Sequence, residues 1–343
     1  MTLMHALVKD VPCPGLSFKE VPIPTLGNLD VLIKIKITAI CGTDLHIYNW
    51  DPWAQQTLSL PLILGHEFMG VVEAVGNDVT QFKPGDRVSG EGHISCGFCR
   101  NCRNGKEHVC LQVKGLGIQR SGAFAHYLCL PAHNVIKLPS DIPDEIGAIL
   151  DPLGDSLHTA LAFDLIGEDV LITGAGPVGL MAVAIAKKVG ARKIVISDIN
   201  EYRLDLAKKL GVTHAFNVSH SSLLSILEEK PLDTHFSVGL EMSGSIDSVQ
   251  DLLNAILPGG NIAVLGVPIQ KITLDLNTLI FKGLTLKGIY GRQMFRTWQK
   301  MIDLLQAGLD VSSVITHHFP AKDFQQAFDV ANRGQAGKVL LYW

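Results

Sequence analysis

Charge of one sign, aromatic residues and long apolar runs are all scarce in this chain. Its 343 residues carry 29 Lys and Arg against 33 Asp and Glu, a net charge of −4. That balance leaves no basic footprint for nucleic acid or for an anionic membrane surface. No apolar run reaches the roughly 18 residues that a membrane span needs. The first residues, MTLMHALVKD, lack a basic stretch followed by an apolar core, so no secretory signal is expected. Internal repeats, low-complexity segments and charge runs are also missing. What remains is 47% hydrophobic and only 18% charged, the balance of a globular enzyme with a sizeable interior. The length is large for one core and predicts two domains. Four of the seven cysteines fall between Cys96 and Cys110. Such crowding points to metal binding in a reducing compartment, and so to the cytoplasm, more than to a disulfide framework.

The stretch 169–198 reads DVLITGAGPVGLMAVAIAKKVGARKIVISD. An apolar strand, a G-x-G-x-x-G turn at Gly174, Gly176 and Gly179, an apolar helix, a second strand and Asp198 follow in order. Gly174 allows the tight turn, Gly176 lets a pyrophosphate approach the backbone, and Gly179 lets helix and strand pack closely. Pro177 suits the first helical turn, whose free N–H groups and dipole favour an anion. Asp198 lies where a carboxylate binds the ribose hydroxyls of NAD and disfavours the 2′-phosphate of NADP. Further strands are expected at Ala215–Val218, Phe236–Leu240, Asn261–Leu265 and Leu284–Ile289. Helical runs at Tyr202–Leu210, Ser222–Glu228 and Ile246–Leu257 alternate with them. This is the pattern of a doubly wound parallel sheet, the Rossmann α/β class.

The first 150 residues lack that rhythm. Short β-branched runs (Val31–Thr38, Gly70–Val75, Ala123–Leu130) bounded by turn signals predict an antiparallel, barrel-like β domain. Two constellations interrupt it. Cys41, Thr43 and His46 are followed some twenty residues later by Gly65-His66-Glu67. Thiolate, imidazole and carboxylate are zinc ligands, and a catalytic zinc keeps one position open. Taken singly, Cys41 could be a packing residue, His66 a core histidine and Glu67 a surface charge. Cys96, Cys99, Cys102 and Cys110 form the second constellation, a closed four-thiolate set suited to a structural zinc. An iron–sulfur cluster or redox thiols are the alternatives. Cys13 and Cys129 read as packing residues. Residues 143–163 turn helical, with Asp151-Pro152 expected to break the run; Asp151 could also be a helix cap. Beyond the sixth strand, a helix at Phe295–Gln306, the segment Ser313–Thr316, a helix at Asp323–Arg333 and a strand at Lys338–Tyr342 are expected to return to the first domain. The domains are therefore expected at 1–150 completed by 296–343, and at 151–295.

Taken together, the GHE at Gly65–Glu67, the four-cysteine lobe and GAGPVG at Gly174–Gly179 resemble the zinc-dependent medium-chain dehydrogenase family over essentially the whole chain. The stretches TAICGTDLHIYNWD, SGEGHISCGFCRNCRNGKEHVC, DINEYRLDLAKKLG and IYGRQMF are similar, within it, to the bacterial members that act on L-threonine. The resemblance implies a GroES-like catalytic domain and one catalytic and one structural Zn2+ per subunit. It implies catalytic zinc at Cys41, His66 and Glu67, with Asp151 nearby as a catalytic carboxylate that either backs the zinc ligands or serves the relay, a Thr43–His46 proton relay, and structural zinc on the four cysteines. NAD contacts implied by position are Val178, Asp198, Arg203, Leu265-Gly266-Val267 and Ile289-Tyr290. A homotetramer is also implied. The expected reaction is oxidation of the 3-hydroxyl of L-threonine to 2-amino-3-oxobutanoate, with a polyol or 2,3-butanediol as the alternative substrate. One departure is visible: Asp155 stands where Asn is expected. Arg292 could face a substrate carboxylate, cofactor phosphates or solvent. A non-catalytic NAD-binding regulator would not need the Cys41/His66/Glu67 set, and a zinc-free quinone-reductase relative would lack the cysteine lobe as well.

Overall fold

The computed structural model describes residues 2–343 apart from 230, 231, 233, 234, 269, 270 and 272. Two compact units emerge, one of residues 1–152, 315–333 and 338–343, the other of 153–314 and 334–337.

The first unit is built on the strand Asp30–Ala39. Val31, Ile33, Ile35 and Ile37 point inward and alternate with outward Lys34 and Lys36, the period-two pattern of a half-buried strand. Glu67–Val75 pairs antiparallel along its length, Tyr127–Pro131 with its first half and Lys338–Tyr342 with its last residues. Arg87–Gly90, Val135–Lys137 and Ile315–Pro320 complete a seven-stranded sheet. Leu3–Lys9, between Ser17–Pro22 and Leu62–Ile63, forms a second, smaller sheet. Val31, Ile33, Phe68, Val88, Leu128 and Leu130 share one core cluster. The strand expected at Ala123–Leu130 begins only at Tyr127, because Ala123 and Phe124 bond the carbonyls of Gly65 and Leu64 instead of extending the ladder.

In the second unit the six strands are β1 (Asp169–Thr173), β2 (Lys193–Asp198), β3 (His214–Asn217), β4 (Phe236–Glu241), β5 (Asn261–Val264) and β6 (Thr285–Gly288). They lie in the order β3-β2-β1-β4-β5-β6, all parallel. Leu171, Val195, Leu252, Ile256 and Ile262 belong to its core. A helix at Leu276–Phe281, between β5 and β6, was not legible as one. It is six residues long, and Leu276, Ile280 and Phe281 are exposed, so it carries no inward apolar stripe.

Two expectations are corrected. The helical run 143–163 breaks at Ile149, between Asp144–Ala148 and Leu150–Ala160, and not at Asp151-Pro152. Pro152 occupies the first turn of the second helix, where its missing N–H costs nothing. The units also part at Pro152 and Ile315, against the expected 150 and 296. The helix Arg296–Gln306 stays with the second unit and buries Trp298, Met301 and Ile302.

Candidate active site

Helix α1 (Gly42–Asn49) starts directly after the central strand, with Cys41 at its N-cap. The Cys41 backbone N–H donates to the carboxylate of Asp44 at 2.9 Å, which fixes the start of the helix. His66 and Glu67 come from the neighbouring segment, where the paired strand begins. One ligand atom each from Cys41, His66 and Glu67 lie within 4.8 Å of one another. The Nδ1 of His66 is buried and lacks a hydrogen-bond partner.

The surroundings are dense in negative charge. Asp44 and Glu67 are fully buried. Burial pushes Asp44 up, and it pushes Glu67 up to about 7 against the pull of Lys338. Desolvation works against a His66 cation, yet Cys41, Asp44 and Asp151 hold the imidazole well above its usual range. A cluster that draws protons this strongly suits a divalent cation. Asp151 is buried beside the set, close enough to act on both His66 and Glu67, without joining the three grouped ligands. Lys338 was missed by sequence reasoning. Its ammonium is buried, donating to Glu67 Oε1 at 2.6 Å and to the Ile40 carbonyl at 2.9 Å, with Glu67 Oε2 at 2.5 Å. Burial opposes its charge, but Glu67 and Cys41 raise its pKa. A lysine inside an otherwise apolar terminal strand was the only available signal.

The four-cysteine lobe is closed at its base by the short pair His93–Ile94 with Lys114–Gly115. Sulfur–sulfur separations are 4.0 Å for Cys96–Cys102, 3.4 Å for Cys99–Cys102, 3.9 Å for Cys99–Cys110 and 3.5 Å for Cys96–Cys110. A tetrahedron with Zn–S bonds near 2.3 Å has edges of about 3.8 Å, so the thiols fit that ion. Backbone N–H groups of Cys99 and Gln112 point at Cys96 Sγ and Cys110 Sγ, at 3.4 and 3.3 Å. Hydrogen bonds from the Cys102 and Leu111 amides bring Cys99 down to about 6, whereas burial and the adjoining thiols push Cys102 up to about 12. Four thiolates this close need a cation to coexist.

In the second unit, Gly174 has φ +95°, and a Cβ there would lie 2.8 Å from the Ser243 nitrogen. A Cβ on Gly179 would lie 1.9 Å from the Gly174 carbonyl oxygen. Gly176 is the N-cap of helix Pro177–Val189 without a side-chain cap, and nothing lies within 4 Å of where its Cβ would be. An open space over uncapped helical N–H groups fits a pyrophosphate. Asp198, ending β2, accepts the Ala175 N–H at 2.6 Å and the Asn200 N–H at 2.8 Å. Arg203 stands in the first turn of the next helix, its backbone bonded by the Asn200 side chain. Leu265, Gly266 and Val267 leave the end of β5, and Ile289 and Tyr290 leave β6; Val267 and Tyr290 are exposed. Val178, partly exposed, opens the helix after the turn. These positions share the carboxyl edge of the parallel sheet, where such folds bind ligands.

Thr43 and His46 lie one turn apart on α1, and His46 is exposed. Arg292 does not face solvent. It is 1% exposed and bonds Asp155 at 2.9 Å. Its stem lies where a Cβ on Gly154 would go. The departure at Asp155 is thus an ion-pair partner for a buried guanidinium, within the second unit.

Residues 27–140 match the family model "Alcohol dehydrogenase GroES-like domain", and residues 177–307 match "Zinc-binding dehydrogenase". The chain is 55% identical to the L-threonine 3-dehydrogenase of Proteus mirabilis, over 99% of this chain and 100% of the relative. It is equally similar, with the same coverage, to the L-threonine 3-dehydrogenase of Shewanella frigidimarina. Among solved structures, a short chain alcohol dehydrogenase from Escherichia coli CFT073 complexed with NADH aligns with a TM-score of 0.91 and 27% identity, covering 100% of both chains.

Proposed function

Because the chain belongs to the zinc-dependent medium-chain dehydrogenases, we propose that it oxidises the 3-hydroxyl of L-threonine to 2-amino-3-oxobutanoate, with NAD as hydride acceptor. The observation that carries this reading is the 55% identity to L-threonine 3-dehydrogenases along the whole chain. The intact ligand sets support it. When bound, zinc would supply Lewis acidity that lowers the hydroxyl pKa, and NAD would supply the hydride acceptor.

Cys41, His66 and Glu67 would hold the catalytic ion, with Asp151 beside them shaping the charge of the pocket. Lys338 keeps Glu67 in place and offsets part of the negative charge. Thr43 accepts the proton of the substrate hydroxyl as it passes its own to His46, and His46, exposed at the surface end of the pair, releases one proton to water. Cys96, Cys99, Cys102 and Cys110 would hold a structural zinc that fixes their lobe. In the second unit Gly174, Gly176, Val178 and Gly179 cradle the pyrophosphate, and Asp198 receives the ribose, with Arg203 alongside. Leu265–Val267 and Ile289-Tyr290 would flank the rest of the dinucleotide. The working form is a cytoplasmic homotetramer.

A substrate panel tests this. With NAD and zinc, kcat/KM for L-threonine should exceed that for 2,3-butanediol and for sorbitol at least about tenfold. That ratio requires only ~1.4 kcal/mol of differential transition-state binding. Preferred oxidation of either competitor would remove the threonine assignment and leave a zinc alcohol dehydrogenase.

A further inference from the structure

We propose that Asp51 is a positioning residue of the proton relay, gripping Nδ1 of His46 so that Nε2 is left to take the proton passed on by Thr43. The inference rests on the relay reading of Thr43 and His46 given above. Helix α1 ends at Trp50, which adopts a left-handed conformation with φ +55°. That reversal brings the next residue back along the helix. The Asp51 N–H donates to the His46 carbonyl at 3.3 Å, and its Oδ2 lies 2.5 Å from His46 Nδ1. The other oxygen, Oδ1, accepts the Ala54 N–H at 2.9 Å as the N-cap of α2 (Pro52–Thr57). The carboxylate is therefore held at both oxygens, one by a helix end and one by the imidazole. Trp53, from the same short helix, packs its ring edgewise against His46 with centroids 6.2 Å apart. Burial tends to raise the Asp51 pKa, but the Ala54 amide and His46 prevail and keep it below its usual value.

An ionised carboxylate can only accept, so Nδ1 carries the hydrogen and Nε2 presents its lone pair. A proton arriving at Nε2 makes an imidazolium that lies beside the Asp51 carboxylate. The cation returns to neutrality by releasing one proton to water, which the 49% exposure of the His46 side chain permits. One proton enters and one leaves, with no change in oxidation state. An ion pair this exposed contributes little to folding. Its effect is on tautomer, orientation and charge.

The test uses Asp51→Asn and Asp51→Ser in the zinc-loaded full chain. Asn and Ser both cap helices well, so α2 keeps its N-cap; Asn removes the charge, and Ser also loses the reach to His46. Single-turnover NADH formation from L-threonine at neutral pH should slow at least about tenfold in both. KM for NAD and the thermal midpoint should stay put. His46→Asn should slow the same step, and adding Asp51→Asn to it should cost no more than about twofold further. Unchanged turnover in His46→Asn would overturn the relay reading itself. A slow His46→Asn protein alongside a full-speed Asp51→Asn protein would overturn the role of Asp51 alone. So would multiplicative losses in the double variant, or slowing that merely tracks a lowered midpoint.

Discussion

At the residue scale, the Lys338–Glu67 pair explains how a carboxylate can sit fully buried beside a thiol and an imidazole. Acids whose folded pKa is raised hold more protons folded than unfolded. Their contribution to stability is present at low pH and is lost as pH rises through the folded value. For Glu67 that window runs from its usual 4.5 up to about 7. Asp44 and His66 are shifted upward too, so all three act in the same direction. Chelated protein should therefore lose stability as pH rises through this range, whereas zinc needs those same groups deprotonated. The gain in thermal midpoint on adding zinc is expected to be larger at about pH 8 than at about pH 5.5, by roughly 3 °C or more. Calorimetry at the two pH values checks this, and an equal or reversed gain would remove Glu67 from the ligand set. Cys41, His66 and Glu67 were legible from ligand chemistry and close spacing. Lys338 was not, because its partner lies 271 positions away and a lone lysine in a strand normally reads as an edge or surface residue.

At the element scale, the cysteine lobe has almost nothing else to hold it. Its helix Arg100–Arg103 is one turn long, Phe98 and Leu111 are exposed, and only Cys102 and Cys110 among its cysteines are buried. A segment with so little apolar burial would depend on a bound metal for its shape. Cys99→Ser should lose about one zinc per chain by elemental analysis and melt at least several degrees lower, while the other zinc remains. Unchanged metal content and midpoint would sink the structural-zinc assignment. The grouping of the four cysteines was readable because it lies in their spacing. The parallel sheet was readable for a related reason: β1, β2 and β4 are short buried runs separated by helices of ordinary length. The helix Leu276–Phe281 and the late start of Tyr127–Pro131 were not, since each depends on contacts and exposure that period alone does not encode.

At the scale of the whole molecule, β6 pairs, among the described residues, only with β5 and so stands at a sheet edge, and the neighbouring helix exposes Ile280 and Phe281 at 68% and 87%. Edges and apolar patches of this kind are normally covered. The proposed tetramer supplies a second copy of the chain as cover. Phe281→Asp should shift the sedimentation profile towards smaller species, whereas a profile unchanged from the parent protein would place the subunit contact elsewhere. The division of the chain has a consequence of a different kind, in the order of biosynthesis. The dinucleotide-binding unit is almost contiguous, but the first unit takes residues 315–333 and 338–343 from beyond it. Strand Lys338–Tyr342 closes the end of the central strand Asp30–Ala39, and Lys338 is the counter-charge of Glu67. A ribosome therefore finishes nearly the whole second unit before the first can be assembled. The nascent chain carries Cys41, His66 and Glu67 with a sheet edge still unpaired, and Glu67 meets its lysine only after residue 338 has been made.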